Sequence, residues 1–303
     1  MTSPTTFHSP GVSKAPIWGL ILCTALAGCG GGGSSGDDDS GSGTDNPPVT
    51  SDGEWYRPEE AISWQIQLQG TPNTGYDVSL YDLDLFDTPG STLDDLHAAG
   101  RRVLCYFSGG SYESWRIDAN QFASADLGQA LDGWPGERWL DIRSEQVRTI
   151  MLDRLDLAVS QGCDGVDVDN MDGYANSSGF DLTANDQLDY NRFMADAAHQ
   201  RGLAIALKND LDQITQLVDH YDLAVNEQCY QYDECDLLTP FIDQGKPVLQ
   251  IEYEIRYVND TLARNALCGQ STSAGFSTLV LPLELDDSYR YSCSDRPPYS
   301  NHP

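Results

Sequence analysis

The sequence predicts a single (β/α)8 barrel of the α/β class, preceded by a signal peptide and a flexible acidic tether. Three observations carry that prediction. Eight short strand-like runs recur from Trp55 onward. Helical patterns with start and stop signals separate most of them, and alternation of strand and helix argues for parallel strands. The segment that holds them, residues 55–295, has the length of one closed barrel.

The N-terminal elements come first. Residues 1–29 hold one base, Lys14, no acid, and an apolar run from Ala15 to Leu26, and end Leu26-Ala27-Gly28-Cys29. A short apolar stretch followed by small residues reads as a secretory signal rather than a membrane span. The ending resembles the bacterial lipobox, so Cys29 is the expected lipidated N-terminus of an envelope-anchored lipoprotein, on the outer membrane or periplasmic side. Residues 30–54 read GGGGSSGDDDSGSGTDNPPVTSDGE, with Val49 the sole large apolar side chain. Such a stretch cannot offset the entropy of ordering and is expected to be a flexible linker. Residues 296–303 form a tail.

Charge and cysteine content exclude several classes. With 47 acids against 17 bases the formal charge is -30. Nucleic acid is not an expected partner, because phosphate binding needs a basic footprint. The acidity serves either solubility or the capture of a polycation by long-range steering. Beyond Cys23 and Cys29 lie Cys105, Cys163, Cys229, Cys235, Cys268 and Cys293. An even number in an exported chain suggests disulfides, and proximity suggests Cys229–Cys235 and Cys268–Cys293. No CxxC occurs and the five His show no ligand spacing, so neither metal nor cofactor is expected.

The strand-like runs are 62–68, 78–84, 102–108, 165–171, 204–210, 223–229, 247–253 and 277–283. A helix capped by Ser91 or Thr92 and stopped at Gly100 lies between the second and third. The run ending at Gly162 places Val147, Ile150, Met151, Leu155 and Ala158 at helical spacing, and another ends at Gly202. LDQITQLVDHY separates the fifth strand from the sixth. Residues 69–77 are too few for a crossover helix, which takes about ten or more. That gap leaves a doubly wound open sheet as the alternative.

Several strands turn from apolar to polar at the same end: YDLDLFD, CYFSGGS, VDVDNMD, LKND, VNEQC, IEYE and PLELDD. In a barrel this end builds the active site. Within VDVDN, the period of two puts Val166 and Val168 on the face towards the helices and turns Asp167 and Asp169 inward. Lys208 is the one base at a barrel-strand end that can screen them. An EF-hand reading fails, since Met171 and Asp172 occupy the fifth and sixth positions counted from Asp167. Between residues 55 and 295 neither GxSxG nor a strand-linked GxGxxG occurs, and His97, His199 and His220 fall in helical stretches. Carboxylates therefore carry the chemistry: Asp169, Glu227, Asp172, Asp210 and Glu252 sit at the ends of strands four to seven. Glycoside hydrolysis uses such a pair, one protonated and one ionised. Trp115, Trp134 and Trp139, with Tyr106 and Tyr112, offer aromatic faces for sugar rings.

At these residues the sequence resembles the endo-α-1,4-polygalactosaminidase family, glycoside hydrolase family 114. The pieces that carry the resemblance are WQIQLQG, YDLDLFD, VLCYFSGGSYESWR, WLDIR, GCDGVDVDNMDGY, KND and VNEQCYQY, in that order. The resemblance implies a metal-free barrel cleaving α-1,4-linked galactosamine-containing polysaccharide internally, a polymer that is cationic when deacetylated. It implies Asp169 as nucleophile and Glu227 as acid/base, with retention of configuration. Asp82, Asp84, Tyr106, Asp167, Asp172, Lys208, Asn209, Asp210 and Glu252 become expected substrate contacts or tuners of acidity. Where family members often carry Glu-Pro before the catalytic Asp, this chain has Asp167-Val168, a shorter acid at a lining position. Two other readings share this barrel: a non-catalytic polysaccharide-binding lipoprotein, and a glycosidase acting on another α-galactosyl glycan.

Overall fold

The computed structural model describes residues 55–294. Cys29, the signal and linker segments and the 296–303 tail lie outside the described residues. Eight parallel strands form: β1 (Trp64–Gln67), β2 (Leu80–Asp84), β3 (Arg102–Ser108), β4 (Gly165–Asp169), β5 (Ala204–Lys208), β6 (Leu223–Glu227), β7 (Val248–Glu252) and β8 (Ser277–Val280). Each pairs with the next in sequence order. A doubly wound sheet would reverse its order part-way, so the open-sheet alternative is set aside. The seam between β8 and β1 is bridged by side chains and loop backbone. The Trp64 indole N–H donates to Ser277 O at 2.8 Å, and Leu68 N–H to Leu285 O at 3.0 Å. Arg290 donates to Gln65 Oε1 and Trp64 O, just before the short strand Tyr291–Ser292 that pairs antiparallel with β8. The connection from β1 to β2 runs as turns and bends, as its length requires.

Strand alternation sorts the side chains. Ile66, Leu80, Leu104, Ala206, Val225, Leu249, Ile251 and Leu279 fill the barrel interior. Val166, Val168, Val103, Leu207 and Ala224 face the helix layer instead. Further along the inward rows, towards the C-terminal strand ends, the apolar residues give way to Asp82, Tyr106, Asp167, Asp169, Lys208 and Glu227.

The helices follow their local signals closely, with one correction. Helix Glu145–Gln161 starts at Ser144, whose hydroxyl accepts the Val147 N–H, and stops at Gly162 in the left-handed region; it buries Val147, Ile150, Met151, Leu155 and Ala158 as expected. Helix Ala184–Gln200 opens on a capping box of Thr183 and Asp186. The helix before β3 spans Gly90–Ala98 and is entered from Pro89, not capped by Ser91 or Thr92. Proline's fixed φ pre-sets the turn, and its carbonyl accepts the Thr92 N–H at 2.8 Å. Between β5 and β6 the chain makes only short helical turns over residues 211–220.

Three disulfides staple this frame. Cys229–Cys235 and Cys268–Cys293 form as expected, and Cys105–Cys163 ties β3 to the turn before β4. An unforeseen element is the insertion after β3, a three-stranded antiparallel sheet of Ser111–Glu113, Leu127–Ala130 and Glu137–Leu140. Buried ion pairs lock it to the barrel. Arg116 holds Asp84 at 2.6 Å and Glu113 at 2.8 Å, while Arg154 holds Asp118 at 2.8 Å and donates to Ser108 O.

Candidate active site

Asp169 ends β4 at the mouth of the barrel. Its Oδ2 accepts the Tyr106 hydroxyl at 2.8 Å and its Oδ1 the Asn170 N–H at 2.8 Å. Glu227 ends β6. Its Oε2 accepts the Asn209 amide at 3.1 Å and its Oε1 the Tyr253 hydroxyl. Lys208, at the end of β5 between them, reaches both carboxylates: 3.2 Å to Asp169 Oδ1 and 3.5 Å to Glu227 Oε2. Two contacts to one nitrogen cap the separation of those oxygens at roughly 6.7 Å, a limit that admits the spacing of about 5–5.5 Å in a retaining pair.

Backbone strain marks the same three strand ends. Asn170, Asn209 and Gln228, each directly after Asp169, Lys208 and Glu227, adopt φ of 60°, 52° and 65°. For a residue with a Cβ this region costs about 1 kcal/mol or more, and such residues gather at functional sites. Tertiary contacts hold the turns in place. Gly109 and Gly110 N–H groups grip the Asp169 carbonyl at 2.9 and 3.1 Å. A Cβ on Gly110 would lie 1.7 Å from Asn170 O, so only glycine fits there. The Asn209 side-chain oxygen accepts the Glu227 N–H at 2.9 Å, so one amide orients both the backbone and the carboxylate of Glu227.

Electrostatics follow from burial. Burial opposes the Lys208 charge, but Asp169, Glu227, Asp167 and Asp82 around it outweigh burial and raise its pKa well above the usual range. It is a permanent cation. Burial lifts Asp167 to about 7 despite the opposing lysine, and lifts Asp82 well above the carboxylate range. Burial, reinforced by Asp169, raises Asp172 to about 6. Asp210, buried beside Asp172 and bonded by the Asn191 amide at 2.8 Å, rises to about 8.

The structure therefore brings together Asp82, Tyr106, Asp167, Asp169, Lys208, Asn209 and Glu227, with Asp172 and Asp210 on the flank. Two expected site residues fall elsewhere. Asp84 is buried under Arg116, which binds both of its oxygens, and it accepts the Phe86 and Asp87 N–H groups; it anchors the insertion. Glu252 lies on the outer face of β7, fully buried, where it accepts the Tyr230 N–H and the Gln250 amide. The inward row of β7 is Leu249, Ile251 and then Tyr253, so Tyr253 takes the place assigned to Glu252. Counting alternate residues from Leu249 would have found it. Trp139 is a core residue, whereas Trp115 and Trp134 are exposed on the insertion.

Fold and site together define the class: a (β/α)8 barrel enzyme with acidic groups gathered at the C-terminal strand ends. Residues 45–297 match the model of glycoside-hydrolase family GH114, and the chain belongs to that family. Among solved structures it is similar to Ega3 of Aspergillus fumigatus, crystallised in complex with galactosamine. That match has 46% identity and a TM-score of 0.73, and covers 77% of this chain and 96% of the other. The glycoside hydrolase domain of PelA from Pseudomonas aeruginosa shares the fold at 16% identity and a TM-score of 0.60, over 75% of this chain and 96% of that domain. An uncharacterized protein of Deinococcus radiodurans is 29% identical over 174 residues, 51% of this chain; the match spans 56% of that relative's length.

Proposed function

We propose that the protein is an endo-acting glycoside hydrolase cleaving α-1,4-linked galactosamine-containing polysaccharide with retention of configuration. The observation that carries this reading is the lysine bridge that holds Asp169 and Glu227 across one mouth. Asp169 attacks the anomeric carbon as the glycosidic C–O bond breaks, and Glu227, which takes up a proton in the substrate complex, gives it to the leaving oxygen. Water then attacks the glycosyl ester, Glu227 takes the water's proton, and Asp169 is released. Lys208 and Tyr106 orient Asp169; Asn209 and Tyr253 orient Glu227. The galactosamine held by the Ega3 crystal and that protein's 46% identity support the choice of sugar. An acidic chain of net charge -30 also suits a polymer that is cationic when deacetylated. The reading includes export and attachment to the cell envelope through Cys29.

Incubation with partly deacetylated α-1,4-galactosaminogalactan, followed by mass analysis, should show oligomer release by the parent. Asp169→Asn and Glu227→Gln should each lower kcat by about three orders of magnitude or more while the polymer is still bound. Binding without cleavage by the parent would establish a polysaccharide-binding protein instead.

A further inference from the structure

Asp82 on β2 and Asp167 on β4 point into the barrel below the mouth, and neither exposes any surface. None of their four carboxyl oxygens has a hydrogen-bond donor from the surrounding chain. Beside Asp82 in the sheet lie Ile66 of β1 and Leu104 of β3, and beside Asp167 lie Tyr106 of β3, whose hydroxyl donates to Asp169, and Ala206 of β5. The charged groups that face them are Lys208, Asp169 and Glu227. The two carboxyls instead meet one another.

Two ionised carboxylates in contact, without a donor, would be buried like charges, and one of them must take a proton. A proton between them turns the repulsion into a charge-assisted hydrogen bond. The lysine decides which partner keeps the charge, since its Nζ lies 3.9 Å from Asp167 Oδ2. We propose that Asp82 and Asp167 share one proton, held as the acid on Asp82, and that ionised Asp167 positions Lys208 between Asp169 and Glu227. Both aspartates are positioning residues that act through the lysine. Asp82 supplies a neutral donor, Asp167 supplies the charge, and the ammonium is held from below while it contacts the two carboxylates above. The shared proton stands on the buried pair alone. Its catalytic consequence rests on the roles proposed for Asp169 and Glu227.

The roles are asymmetric, and amide substitution reads the asymmetry. Asp82→Asn copies the neutral acid in size and donor, and should lower kcat on the polymer at least about tenfold less than Asp167→Asn does. Asp167→Asn removes the charge that holds Lys208, and should lower kcat by about a hundredfold with KM nearly unchanged. Infrared difference spectra at neutral pH, parent minus Asp82→Asn, should show the loss of one protonated-carboxyl carbonyl band. Equal damage from the two amides, or no band lost, overturns the proposal. So does an Asp82→Asn chain that fails to fold, because the neutral acid's isostere belongs there. A parent that cleaves no polymer defeats the functional reading, whereas the infrared band still decides the proton.

Discussion

Tyr253 is the residue whose position most changes the chemistry at the mouth. Its hydroxyl donates to Glu227 Oε1, while Asn209 donates to Oε2, so both carboxylate oxygens are fixed before substrate arrives. Burial first, and then the charge of Glu227, push the Tyr253 phenol well above its ordinary range, which keeps it a donor. Removing a hydrogen bond to a charged group costs about 1.5–3 kcal/mol. Tyr253→Phe should accordingly lower kcat by about ten- to a hundredfold, with KM nearly unchanged. Steady-state kinetics on the polymer check this, and an unchanged kcat would remove Tyr253 from the site.

At the scale of the element, the insertion after β3 is held by buried ion pairs as well as by Phe122 and Leu140, which join the main core. Arg116 is buried and bonded to Asp84 and Glu113, and Arg154 to Asp118. Breaking a buried pair from one side leaves the partner's charge uncompensated, at a cost of about 3–5 kcal/mol. Arg116→Met should therefore destabilise the protein by roughly that amount in urea unfolding at neutral pH. A loss under about 1 kcal/mol would mean that the pair only marks the interface. The same insertion reaches the site through hydroxyls. Ser111 bridges Glu137 and Ser108, and the Asn170 amide donates to Ser108 directly behind Asp169.

Across the whole molecule, buried acids set the dependence of stability on pH. Burial raises Asp172 to about 6, Glu137 and Glu252 to about 7, and Asp210 to about 8. Between the ordinary carboxylate range and these values the folded chain binds more protons than the unfolded chain, so stability falls as pH rises. Self-repulsion of a chain at -30 acts in the same direction. Asp141, Asp186 and Asp286, held low by hydrogen bonds, act oppositely, and only below the usual carboxylate range. Thermal melts should therefore show a higher midpoint at about pH 5 than at about pH 8. A midpoint that rises over that interval would contradict the protonated state of the buried acids.

The sequence by itself left the order of the strands in the sheet open, but determined the eight strands, their parallel sense, the glycine stops of the two long helices and the inward turn of Asp167 and Asp169. These are local properties, written in a period of two, a period of 3.6 and short-range capping. What only the tertiary structure decided is who meets whom. Glu252 and Tyr253 are neighbours in the chain, yet phase on β7 sends one behind the wall and the other to Glu227. Asp84 reads as a site acid until Arg116 arrives from the insertion to take it. Asp82 and Asp167 lie on strands separated by β3, and they meet only because closing the sheet turns both into the same small interior. Strand period names the face of each residue. The curvature of the barrel sets the distances across it, and those distances decide which carboxyls share a proton, a lysine or nothing.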